Sequence, residues 1–161
     1  MAAKGIRIRQ PEDIYSAVRR WAGRKEENFL VVTLNGAHEL IKVHHITKGL
    51  VNRTIIHPRE CFYPAIRDYA SSVAVIHNHP SGNVEPSFDD EKITERLSQA
   101  ASILGFNFLD HLIIARNDSF FSFRKADRIR DVFTKEENRE FVGYLVAEKK
   151  RSLAADKKAS K

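Results

Sequence analysis

His77 and His79, one residue apart after the apolar run Val73–Ile76, head the densest set of metal-competent side chains in the sequence. In an extended backbone residues i and i+2 point to one face, so the two imidazoles can lie side by side. Pro80 and a Gly/Asn/Pro loop follow, and Ser87-Phe88-Asp89-Asp90 then reads as the start of a helix that returns Asp90 to the strand end. Two imidazoles and one carboxylate leave one position of a tetrahedral zinc open to water, which is the catalytic rather than the structural pattern. Plainer readings exist for each residue. A histidine pair at a strand end can simply pack, and Ser87-x-x-Asp90 is also a helix N-cap pattern with an acid favoured in the first turn. The cap and ligand roles are compatible, because a cap fixes the geometry of a ligand. Asp89 competes with Asp90 for that role.

Zinc-assisted hydrolysis also needs a group to take a proton from the attacking water. Glu26, Glu27, Glu39, Glu60 and Glu85 all qualify by residue type, and the residues alone do not choose among them. His44 and His45 are adjacent on a strand and so face opposite ways, one buried and one exposed. His57 precedes a proline and reads as a turn or cap residue. Asp110-His111 suggests no chemistry by itself and is read as support for the fold.

The elements that must position these side chains follow from hydrophobic period and turn residues. Gln10-Pro11-Glu12-Asp13 opens a helix with Ile14, Ala17, Val18 and Trp21 at helical spacing. Asn28–Leu34 and Glu39–Ile46 read as strands of a hairpin around Asn35-Gly36. Thr47–Asn52 is a loop whose Gly49 suits a positive φ. His57-Pro58 enters a helix running to about Ala70, and Ser87 to about Leu104 is a second helix, ended by Gly105. Phe106–Ala115 and Ser119–Phe123 are further strands around an Asn117-Asp118 turn. Thr134-x-x-Glu137 is a capping box for a last helix with Phe141 and Leu145 inward. Strands interleaved with helices predict an α/β protein: a mixed sheet with helices on both faces, an α-β-α sandwich. The expected organisation is an N-terminal helix over residues 1–25 packed on a domain at 26–123, a helical extension at 124–150 and a basic, disordered tail at 151–161.

At 161 residues the chain suits one domain with a sizeable core. A single cysteine, Cys61, excludes an intramolecular disulfide and any thiolate-rich metal cage. It also excludes a zinc nucleobase deaminase, which needs Pro-Cys-x-x-Cys. The His-Asn-His tripeptide matches the name of a nuclease class only in its letters, since those nucleases carry the residues far apart. No apolar run suggests a signal sequence or a membrane span, and a reducing cytoplasm is the expected compartment. The net charge of +6 is misleading: from Lys149 to Lys161 six basic residues stand against Asp156 alone, so the excess sits in the tail. That tail is the one feature favouring nucleic acid as a partner, and such runs are usually just solvated.

His77-x-His79-Pro80, with Asp90 ten positions beyond Pro80 and Ser87 three before it, resembles the JAMM zinc-hydrolase signature. The fuller wording HNHPSG…PSxxD, with Thr94 and Leu97 behind it, is similar to the bacterial RadC family, as are Gly49-Leu50-Val51-Asn52, His57-Pro58-Arg59-Glu60 and Leu109-Asp110-His111. The likeness covers roughly residues 26–123, and several spaced polar positions in a defined order make it specific. It implies the cytidine-deaminase-like fold of JAMM domains and zinc held by His77, His79 and Asp90, selecting Asp90 over Asp89. It implies Glu27, just before the first strand, as general base and Ser87 as partner of the oxyanion. The implied activity is hydrolysis of peptide or isopeptide bonds in a protein or peptide substrate. The family also carries a DNA-repair label and an N-terminal helix-hairpin-helix region that is not expected in these residues. The competing reading is a nonenzymatic, metal-bearing module that binds nucleic acid or a protein partner.

Overall fold

The computed structural model describes residues 5–49 and 56–130. The final helix expected from Thr134, most of the 124–150 extension and the basic tail lie outside the described residues. Within them the chain runs α1 (Pro11–Val18, continued by a 3-10 turn, Arg19–Trp21), β1 (Asn28–Leu34), β2 (Leu40–Lys48), α2 (Pro58–Arg67), β3 (Ser72–Asn78), α3 (Phe88–Leu104), β4 (Asn107–Ile114) and β5 (Phe120–Ser122). The strands form one sheet in the order β2-β1-β3-β4-β5. Only β3 and β4 are parallel, joined by the α3 crossover; the other pairs are antiparallel. The sheet is mixed, as the sequence predicts.

Every residue of β1 and of β3 is buried, as central strands covered on both faces must be. Alternation sorts their side chains. Phe29, Val31, Val73 and Val75 join Cys61, Phe62 and Ala65 of α2 and Ile93, Leu97 and Ala101 of α3 on one face. Leu30, Val32, Leu34, Ala74 and Ile76 meet Ile14, Tyr15 and Val18 of α1 on the other. Helices therefore cover both faces, and the α-β-α sandwich holds.

The hairpin forms, but Asn35-Gly36 does not turn it as a two-residue pair. The connection runs to Glu39, and the left-handed residue is His38 (φ 59°). Asn35 organises the wider loop, its side-chain oxygen accepting from the backbone N–H groups of Ala37 and Glu39. β2 runs two residues beyond the expected end at Ile46, to Lys48, and Gly49 takes the expected positive φ of 107°. α2 ends at Arg67, earlier than Ala70. β3 is longer than its apolar core: it carries His77 and Asn78 inside the sheet, where their ladder partners are Ile113 and Ile114.

Cys61 is fully buried between α2 and the sheet, and burial pushes its thiol up to about 12. The thiolate is the reactive form, so Cys61 has almost none to offer near neutral pH. We expect no reaction with a thiol-specific disulfide reagent in the native protein over hours, and one equivalent once denaturant is added. Stoichiometric native labelling would show that this helix opens.

Candidate metal centre

Strand register builds the site. β1 and β3 pair antiparallel with Phe29 opposite His77. Continued two residues past the strand ends, the same register sets Glu27 opposite His79, and alternation puts both on the face occupied by Phe29 and His77. Glu26 has the other parity. Its carboxylate is half exposed and pairs with Lys48 Nζ at 3.0 Å. Asn28 and Asn78 hold this corner from the opposite side: the Asn78 side chain accepts from Asn28 N–H at 2.7 Å and donates to the Glu26 carbonyl at 3.0 Å.

The third segment is the start of α3. Ser87 is its N-cap, accepting from Asp90 N–H at 3.1 Å, while Asp90 Oδ2 accepts from Ser87 N–H at 2.7 Å and from the Ser87 hydroxyl at 2.9 Å. The capping box read from the sequence is therefore present. It fixes the carboxylate over the strand end, where Asp90 Oδ1 lies 3.1 Å from His77 Nε2 and Oδ2 lies 3.5 Å from His79 Nε2. The two Nε2 atoms are 3.0 Å apart. Asp89 is exposed, so Asp90 is the aspartate delivered to the histidines. Glu39 and Glu60 are elsewhere: Glu39 accepts from the Asn35 amide on the hairpin loop, and Glu60 is exposed on α2. Glu85 is exposed on the loop before α3.

Magnitudes separate the cap role of Asp90 from the ligand role. A good N-cap is worth about 1 kcal/mol, whereas desolvating a carboxylate costs several kcal/mol in real proteins. Asp90 has 0% exposure, so capping alone does not account for its burial. Burial opposes its ionisation, but the imidazoles of His77 and His79 and the Ser87 backbone N–H outweigh that and hold it well below the usual carboxylate range. At His77 burial wins instead: it lowers the pKa against the pull of Asp90, which favours the neutral ring a metal requires.

The donor set fits a metal ion. The Nδ1–H of His79 donates to the Asn83 carbonyl oxygen at 2.6 Å, which leaves Nε2 as the acceptor nitrogen. An ionised Asp90 offers acceptors only. Such atoms repel at 3.0–3.5 Å unless a metal ion, or a proton carried by one of the rings, lies among them. Ligand bonds of 2.0–2.1 Å at tetrahedral angles give an edge of about 3.3 Å, close to the three distances observed.

Glu27 also lies at the cluster, with Oε1 3.9 Å from His77 Nε2 and a side chain 19% exposed. Glu27, His77 and His79 form a set whose ligand atoms all lie within 4.8 Å of one another, close enough to bind a metal ion. Two carboxylates thus compete for one ligand position. Asp90 approaches more closely and is the more buried, and Glu27 is the more exposed of the two.

Sequence reasoning missed the groups behind His77. His77 Nδ1 faces His111 Nε2 at 2.8 Å, and His111 Nδ1 faces the Thr94 hydroxyl at 2.6 Å. His111 is fully buried and stacks on Phe123 with ring centroids 4.8 Å apart. Asp110, read with it as support for the fold, binds the Ser122 hydroxyl and the backbone N–H groups of His111 and Arg124, tying β4 to the segment after β5. His111 shares a face with His77 because β4 bulges: Val73 pairs with Phe108 but Ala74 pairs with Asp110. The extra residue shifts the alternation by one. The available signals were the i, i+4 spacing of Asp90 and Thr94 on α3 and the bare presence of a histidine in β4.

Comparison with known proteins gives the same direction. The family model described as RadC-like JAB domain matches residues 8–129, so it takes in α1 as well as the sheet. A UPF0758 protein of Methanospirillum hungatei is 50% identical over 113 residues, covering 69% of this chain and 50% of the relative. UPF0758 proteins of Rubrobacter xylanophilus and Geobacter sulfurreducens are 42% and 38% identical over 119 and 121 residues, covering 73% and 74% of this chain and 52% of each relative. The chain spans about half the length of these curated relatives. No helix among the described residues is long and apolar enough to cross a membrane. With the matched segment taking in β1, β3 and the start of α3, where Glu27, His77, His79 and Asp90 meet, the chain belongs to the RadC-like JAB domain family.

Proposed function

We propose that this chain is a zinc-dependent hydrolase of amide bonds, acting on a peptide or isopeptide substrate. The observation that carries the reading is the convergence of His77 Nε2, His79 Nε2 and the buried Asp90 carboxylate within 3.0–3.5 Å, with a second, more exposed carboxylate beside them. His77, His79 and Asp90 would hold the ion. A zinc ion bound there supplies Lewis acidity and brings the pKa of water toward neutrality.

The protein's own groups carry the rest. Glu27, partly exposed at the cluster, would take a proton from the attacking water and pass it to the departing amine. Its partial exposure suits a group that must meet both water and substrate. Ser87 has its hydroxyl on Asp90 Oδ2. To serve as oxyanion partner it must turn that proton to the substrate carbonyl oxygen as negative charge develops there, while its backbone N–H keeps Asp90 in place. The burial of His77 and Asp90 keeps water from the ligand side of the site.

The test is elemental analysis of the purified chain together with zinc-dependent cleavage of a peptide library. We expect one zinc per chain and cleavage that a chelator abolishes and zinc restores. Stoichiometric zinc without cleavage of any peptide or isopeptide would overturn the enzymatic reading in favour of a metal-bearing binding module.

A further inference from the structure

We propose that Thr94 and His111 form a directional hydrogen-bond relay that fixes the ring tautomer of His77 and so makes its Nε2 the metal-binding nitrogen. The proposal rests on reading the site as a metal centre. The direction follows from counting protons along the row. The Asp90 carbonyl oxygen can only accept, and Thr94 Oγ1 lies 2.6 Å from it, one helical turn on. The single hydroxyl proton of Thr94 therefore goes to that carbonyl. Were it turned to His111 instead, two oxygen lone pairs would face each other at 2.6 Å.

With its proton committed, Thr94 Oγ1 is an acceptor toward His111 Nδ1 at 2.6 Å, so His111 carries its proton on Nδ1. A neutral His111 then presents a lone pair at Nε2. Across 2.8 Å stands His77 Nδ1, which must supply the proton for that hydrogen bond. His77 is thus the Nδ1–H tautomer, and its lone pair is on Nε2, the atom facing His79 and Asp90. His79 reaches the same tautomer by its own route, through the Asn83 carbonyl. Both rings thus turn Nε2 toward the position a metal would take. An imidazole ligand is commonly oriented by a carboxylate or carbonyl behind it; here a second imidazole does that work. Because the relay starts at the Asp90 carbonyl, one turn of α3 positions one ligand by its side chain and another through its backbone. His111 and Thr94 touch no substrate and are positioning residues.

The experiment reads the tautomers directly. Protein labelled with 15N at histidine is examined by long-range 1H–15N correlation at about pH 8, above the ordinary imidazole range. His77 and His111 are expected as Nδ1–H tautomers. Thr94→Val keeps the shape but removes the hydroxyl that accepts from His111 Nδ1, so His111 should move its proton to Nε2 and push His77 toward Nε2–H. Zinc affinity, measured by chelator competition, should then fall by about 10–100-fold. Thr94→Ser keeps the hydroxyl and should restore both readouts, which a merely structural loss would not. Nε2–H at His77 in the unaltered protein, or unchanged zinc affinity in Thr94→Val, would overturn the relay. A chain that shows His77 as Nδ1–H yet binds no zinc would defeat the metal reading and leave the relay standing.

Discussion

Glu27→Gln should retain zinc and lose roughly two to four orders of magnitude in turnover, the usual scale for removing a general base. The amide keeps the size and much of the hydrogen bonding of the carboxylate but cannot accept a proton. Metal content should survive because Asp90, closer to both imidazoles, would hold the third ligand position while Glu27 Oε1 stands 3.9 Å from His77 Nε2. Glu26→Gln is the matched control. Its side chain has the opposite parity and faces Lys48, so it should be nearly silent. Any general effect of removing one negative charge beside the site would appear in both variants. Zinc lost from Glu27→Gln would make Glu27 a ligand rather than a base, and undiminished turnover would remove it from the mechanism.

The second large effect is expected on binding. His79→Ala should abolish stoichiometric zinc and with it the zinc-dependent rise in melting temperature. A ligand at a hundred times its Kd stabilises the native state by about 2.7 kcal/mol. The unaltered chain should therefore show a clear upward shift in excess zinc, and His79→Ala should show none. His79 is the better choice for the variant, because His77 is more buried and packs against Phe29 as well as His111, so its loss would confuse folding with binding. A zinc-dependent shift that persists in His79→Ala would mean that the ion sits elsewhere.

Much of this was legible in the sequence because it depends on short-range rules. The i, i+2 histidines, the Ser87 cap and the position of Asp90 in the first turn of α3 are consequences of period and capping, and each can be read without knowing the fold. The sandwich followed from apolar runs alternating with amphipathic ones. Glu27 is different. Its place opposite His79 is set by the β1–β3 register, and nothing local to residues 24–27 distinguishes it from Glu26; family likeness, not residue chemistry, singled it out. The hairpin was found with Asn35-Gly36 in its turn, but the left-handed residue was not foreseen, because Asn35 builds a loop with its own side chain that leaves that position to His38. His111 was read only as support for the fold, because its partners are 34 and 17 residues away and its face depends on a bulge that leaves no trace in the composition of β4.

That bulge makes the centre sensitive to counting rather than to chemistry. Residue 109 is the supernumerary position in the β3–β4 ladder, and its partly buried leucine packs on the α1 side, in the core cluster away from the candidate metal site. Many side chains could occupy it without disturbing His111. With residue 109 kept but the bulge flattened, even alternation along β4 would set His111 against Ile76 and turn it through the sheet toward the α1 side, away from His77. Loops at the sheet's ends can gain or lose residues and leave every strand's parity intact. Inside β4 the relay instead depends on one residue standing outside the ladder, and flat pairing of the full-length strand would disconnect it while leaving each of its residues in the gene.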